Sequence, residues 1–170
     1  MSGAAELAKL PDAPDGYRWL RYEEGKSAYL RPQGWHVKTE VEGKTASLFI
    51  SQENIDKQGS FDTGLTVHII GDVAVRAGLI ASKYASAYVE ELAKSKSVLE
   101  RAETSAQDGY SSHTLRYRDA SRPPAILVHT HVLADDTADV LRIAIFEAPE
   151  SNWDSAWAHG EKILKGHVWR

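Results

Sequence analysis

Residues 125–147 read Ala-Ile-Leu-Val-His-Thr-His-Val-Leu-Ala-Asp-Asp-Thr-Ala-Asp-Val-Leu-Arg-Ile-Ala-Ile-Phe-Glu, and this stretch decides the fold class. Two apolar, β-branched runs, Ala125 to Ala134 and Ala138 to Glu147, flank the polar triplet Asp135-Asp136-Thr137. Such runs with turn residues between them predict an antiparallel hairpin. These are the most apolar strands of the chain, so they are expected at the centre of a sheet, covered on both faces. Their turn is acidic, but it lacks the spacing and glycine of a calcium loop and reads as a solvated tip.

Outward from this hairpin the pattern stays antiparallel. Val98 to Gln107 and Tyr110 to Arg118 flank Asp108-Gly109, a strong two-residue turn signal. Towards the N-terminus, Gly16 to Glu23, Ser27 to Arg31, Trp35 to Val41, Lys44 to Ser51 and Gly64 to Ile70 read as strands. Residues 52–63 read as a polar loop. Ala46, Leu48 and Ile50, and then Leu65, Val67 and Ile69, repeat at period two and mark buried faces. Ile80, Tyr84, Tyr88 and Leu92, widened by Ala77 and Ala87, predict one amphipathic helix. Pro149 closes the last strand, and Ser151 is expected to cap a second helix with Asp154 three residues on. Trp153, Trp157, Gly160 and Leu164 form its buried stripe, and Gly166 ends it. The expected fold is α+β, an antiparallel sheet flanked by helices in an α/β/α sandwich. Residues 1–15 are a lead-in and residues 16–170 a single domain.

Composition narrows the function. The 170 residues are 42% hydrophobic and 26% charged, suiting one domain; two of about 85 residues would each bury too little surface. There is no cysteine, which excludes disulfides, thiolate metal sites and cysteine nucleophiles. The net charge of −4, without a basic run, disfavours nucleic acid. Glu6 and Lys9 interrupt the only candidate signal sequence, and no run approaches the roughly 20 apolar residues of a membrane span. A cytoplasmic protein without membrane insertion is expected. No Gly-x-Ser-x-Gly elbow, phosphate loop or dinucleotide fingerprint occurs, so neither a catalytic residue nor a cofactor is expected.

One cluster could carry chemistry. His129 and His131 lie two apart on a strand, so both imidazoles face one way, with Leu127 and Leu133. Paired histidines at this spacing occur in metal sites, and His68 or Glu147 could supply a third ligand. The plainer alternative is a half-solvated sheet face. A second candidate is a small-molecule cleft between the sheet and the long helix, with Arg142, His68 and His131 on its sheet side. Aromatic residues cluster in the first strands and at the C-terminal end; Trp153 and Trp157 have core spacing. Trp169, beyond Gly166, is expected to be exposed. His68, His129, His131, Arg142 and Trp169 are thus the candidate binding residues.

Tyr29 to Pro32, Gly34-Trp35, a strand ending Phe49-Ile50-Ser51, and Phe61-Asp62-Thr63-Gly64-Leu65-Thr66-Val67 precede a helix and a four-strand meander. The chain closes on Trp-x-x-x-Trp-x-x-Gly-x-x-Ile-Leu. Over residues 25–165 this order resembles the PsbP/Mog-like family, and the resemblance implies the same sandwiched sheet. It also implies a non-catalytic domain that binds a protein or peptide. The acidic patch through which one branch binds its partner is echoed by Asp12, Asp15, Glu23 and Glu24 alone. A further implied role is chaperone or adaptor of the Eag type, which shields apolar helices of secreted effectors.

Overall fold

A computed structural model describes residues 9–105, 109–121 and 123–169. Among these residues, ten strands form two antiparallel sheets. The larger has the order β3-β4-β5-β9-β8-β7-β6. Its strands are β3 (His36–Glu42), β4 (Thr45–Ser51), β5 (Gly64–Gly71), β6 (Ser97–Ser105), β7 (Tyr110–Asp119), β8 (Ile126–Asp135) and β9 (Val140–Pro149). The β8–β9 hairpin sits in the interior of this sheet, as its composition predicts. β6 and β7 pair as the second hairpin; Asp108 of its turn lies outside the described residues.

The first hairpin does not join that sheet. β1 (Tyr17–Tyr22) and β2 (Ser27–Pro32) make a separate three-stranded sheet with β10 (Val168–Trp169), a strand that the sequence pattern does not announce. Two residues are too few to show a period, so only tertiary pairing of Val168 with Ala28 and of Trp169 with Ser27 defines it.

Among the described residues there are four α-helical segments: α1 (Ile55–Gln58), α2 (Val73–Ala77), α3 (Ala81–Ser95) and α4 (Trp153–Gly166). Residues 52–63 are therefore more than a loop. Asn54 caps α1 through its side chain, and Gly59 ends it in the left-handed region. The predicted helix from Ala77 is also broken. Ala77 ends α2, Gly78 turns the chain at φ 71°, and Ile80 is the extended N-cap of α3. The buried line of α3 is Ala81, Ala85 and Val89, with Tyr84, Tyr88 and Leu92 alongside and Ala87 exposed. Residues 81, 85 and 89 share a helix face with 84, 88 and 92 through i,i+3 spacing, so the stripe holds but its centre is rotated.

The large sheet divides two cores. On one face α3 packs Ala81, Ala85 and Val89 on Leu115, Tyr117, Val128, Val132, Leu141 and Ile143. On the other, α4 and the small sheet pack on Leu48, Ile50, Leu65, Val67, Phe146 and Ala148. Gly160 of α4 lies where a Cβ would come within 2.8 Å of the Phe146 ring, so glycine sets the approach of this helix. The Ser151 cap is not formed. A 3₁₀ turn over Glu150–Asn152 precedes α4, whose N-cap is Asn152, and Ser155 Oγ donates to the Asn152 carbonyl and side chain.

Candidate functional site

Register places the histidines. His131 pairs with Ala144, which pairs with Val67; His129 pairs with Phe146, which pairs with Leu65. Residues directly opposite share a face, so His129 and His131 lie on the α4 side. His68 pairs with Ile143, and Glu147 follows Phe146 by one, so both face α3. Neither can serve as third ligand to the pair. Among the described residues, no group of three His, Asp or Glu could hold a metal ion.

The imidazoles have other partners. His129 packs against Trp157 at 4.5 Å, and Trp157 stacks on Trp153 at 5.4 Å with planes 8° apart. The Arg116 guanidinium lies over both indoles, at 4.7 and 5.1 Å. Burial, then the charge of Arg116, then His131, pushes His129 down to about 4. His131 bonds Ser112 Oγ at 3.0 Å and is held below its ordinary value by burial and by His167. His68 bonds Ser47 Oγ at 2.8 Å and is also lowered by burial, against the pull of Glu40. These are packed, neutral imidazoles at pH 7.

Arg142 shares the His131 face, so the proposed cleft lined by Arg142, His68 and His131 does not exist: the sheet separates His68 from the others. Arg142 instead meets Trp169. The guanidinium lies 5.1 Å from the indole ring, and Nη2 donates to the Gly25 carbonyl at 3.1 Å. Trp169 also touches Tyr110 at 5.8 Å and is half-buried, contrary to the expectation of an exposed aromatic; pairing of β10 with β2 lays it on the sheet.

Arg142 and Trp169 form one wall of a groove of about 560 Å³ at one end of the large sheet. Its other walls come from three turns: Gly25 and Lys26 between β1 and β2, Gly43 and Lys44 between β3 and β4, and Asp135 and Ala138 at the turn from β8 to β9. Ala46, Ile69, Leu133 and Val140 make its apolar floor. A Cβ on Gly25 would run into the Ile69 side chain of the floor, so the first turn seats there because it carries none.

The same end carries exposed apolar side chains. Val41 is 62% exposed beside the groove; Val75, Leu79 and Ile80, at 87%, 45% and 48%, lie on α2 and the bend that follows it. Arg76 donates to Thr45 at the groove rim, so α2 adjoins it. Sequence reasoning missed these residues because it placed Ala77 and Ile80 on the buried stripe of one continuous helix. Gly78 was the available signal.

The acidic tip is tied down and not simply solvated. Asp136 accepts from the Ser82 amide (2.8 Å) and hydroxyl (2.6 Å) at the start of α3. Asp139 accepts from the Ala74 amide in α2, and Asp135 from the Thr137 and Ala138 amides. No helix among the described residues is long and apolar enough to cross a membrane.

No protein-family model matches this sequence, and no curated protein matches it. Solved structures do match. The chain superposes on cyanobacterial PsbP (CyanoP) of Synechocystis sp. PCC 6803 with a TM-score of 0.54 and 14% identity, covering 95% of this chain and 99% of that one. It is also similar to the Ran-binding protein Mog1p of Saccharomyces cerevisiae, with a TM-score of 0.48 and 10% identity over 89% of this chain and 94% of that one. The antiparallel sheet between helices, traversed in this order, is the PsbP/Mog-like fold.

Proposed function

We propose that this chain is a non-catalytic binding domain that takes an apolar segment of a protein or peptide at the turn-built end of its large sheet. The observations that carry the reading are the apolar floor of the groove, exposed Val41 in its wall, and, at the same end of the sheet, exposed Val75, Leu79 and Ile80 on and after α2, which Arg76 ties to the rim at Thr45. Exposed apolar side chains gathered beside a groove mark interaction surfaces, whereas single ones are ordinary. The groove also carries Lys26, Lys44 and Arg142 against Glu24 and Asp135, so its rim is polar and of mixed charge. His68 and His131 each bond a single serine hydroxyl, and among the described residues no carboxylate is bonded to either ring, so this reading assigns them no reaction.

A photocrosslinking residue in place of Val75 tests this in cells. It is expected to trap a discrete protein adduct, which a second substitution, Leu79→Glu, abolishes. The same probe at exposed Lys94 on α3 is expected to trap none. Equal labelling from both positions, or adducts indifferent to Leu79→Glu, would sink the proposal.

A further inference from the structure

The large sheet has two outer strands, and they are not equally guarded. The β3 edge carries His36, Lys38, Glu40 and Glu42, and Asp56 of α1 reaches Lys38 at 3.6 Å. The other edge is β6, nine residues long and paired only to β7 among the described residues. Ser97 to Glu103 are all exposed, Val98 and Leu99 included. An open edge presents unpaired backbone groups to any strand that can register with it.

Consider a second copy of the same strand, running antiparallel about a two-fold axis normal to the sheet. That axis leaves each face on its own side, so residues that meet across the seam must point the same way. Side chains alternate along a strand, and the axis must therefore lie midway between a residue and its own copy. Centred on Glu100, Arg101 or Glu103, the pairing sets a charge against its own copy, which is unfavourable. Leu99 lies in the irregularity between Val98 and Glu100 and cannot centre a regular ladder. Centred on Ala102, the pairing sets Arg101 opposite Glu103 of the second copy, twice by symmetry, and Glu100 opposite Thr104.

The side chains already face correctly for this register. Arg101 pairs with Glu90 of α3, and Glu103 lies 4.0 Å from His113, whose strand partner Val132 belongs to the α3-side core. Both therefore stand on the α3 face. Glu90 would flank the new pair and give Arg101 a carboxylate on each side.

We propose that two copies of this chain join edge to edge through β6, antiparallel about Ala102, to make one continuous sheet. Charge complementarity selects this occupant, since a single strand supplies both members of each pair. The two grooves then open towards opposite ends of the joined sheet.

Sedimentation equilibrium tests the proposal on the full chain. The expected mass approaches twice the 18.8 kDa of one chain as concentration rises. Arg101→Glu and Glu103→Arg are each expected to weaken the dimer by about tenfold or more, because each sets like charges opposite one another twice. The double variant Arg101→Glu/Glu103→Arg restores opposite pairs and is expected to recover the dimer. Glu103→Arg leaves the Arg101–Glu90 contact in place, so it stays informative if Arg101→Glu disturbs that contact, and an unchanged unfolding midpoint shows that losing its own contact with buried His113 is harmless. A wild-type chain that remains monomeric at every concentration overturns the proposal. So does a dimer unmoved by either charge reversal, or one that the double variant fails to restore.

Discussion

His129 lies against the Trp157 indole and within the field of the Arg116 guanidinium, and its buried Nδ1 has no hydrogen-bond partner among the described residues. Its imidazole is pushed to about 4, below the roughly 6.5 of an unfolded chain. The sign follows from proton counting. Between these values the unfolded chain binds a proton that the native protein refuses, so acid favours unfolding. The stability tied to this group is complete above about pH 6.5 and is lost as pH falls towards 4. His68, His131, His159 and His167 are lowered too and act in the same direction. His129→Phe keeps the ring against Trp157 and removes the titration. Urea unfolding from about pH 7 to about pH 4.5 should then show a shallower loss, by up to about 1.4 kcal/mol per pH unit. An unchanged slope would count against a neutral His129 in the fold. A second residue-scale case is Gly160. Alanine favours a helix interior by about 1 kcal/mol, but here its Cβ would meet the Phe146 ring. Overpacking outweighs propensity, so Gly160→Ala should lower stability by about 1–3 kcal/mol in thermal or chemical unfolding.

At the scale of elements, the β8–β9 turn acts as a bracket for the helices. Asp136 caps α3 and Asp139 caps α2, from a turn more than 50 residues along the chain. Each cap supplies a carboxylate where backbone amides lack partners and where the helix end is electropositive. Ile80, the residue at the N-cap of α3, has an apolar side chain and cannot do this locally. Asp136→Ala removes two hydrogen bonds and should cost about 1–2 kcal/mol, read as a shift in the unfolding midpoint. Asp136→Asn retains an acceptor for the Ser82 amide and should recover most of the loss. Equal losses in the two variants would place the role of Asp136 elsewhere. The same turn lines the groove, so these caps also fix one of its walls.

Across the whole molecule, the sheet is a partition. His129, His131 and Arg142 lie on one side with α4; His68 and Glu147 lie on the other with α3. Adding Zn²⁺ should therefore leave the melting temperature within error. A rise of several degrees that His129→Phe abolishes would show a ligand set that the fold does not bring together. Glu147 responds to the partition differently. Burial, with Asp62 and Asp119 nearby, raises its carboxyl, and Glu147→Gln should stabilise the protein at neutral pH. That gain should shrink as acid protonates the native glutamate, a trend that unfolding curves at several pH values would reveal.

Much of the fold was legible because period-two and helical stripes report which face each element buries. Ala46, Leu48 and Ile50, Leu65, Val67 and Ile69, and Trp153 with Gly160 all lie in one core. The hairpins were legible from turn chemistry, and the common face of His129 and His131 from strand alternation alone. Tertiary structure decided what no local pattern encodes. It set which strands are neighbours, and so put His68 behind the sheet. It sent β1 and β2 to a sheet of their own and drew Val168 and Trp169 across to them. It also brought three turns, distant in sequence, to one end around Arg142. The physical reason is that alternation fixes a side chain's face within its own strand. The register between strands depends on packing of the whole core, so the groove at their ends belongs to the folded chain and to no single segment of it.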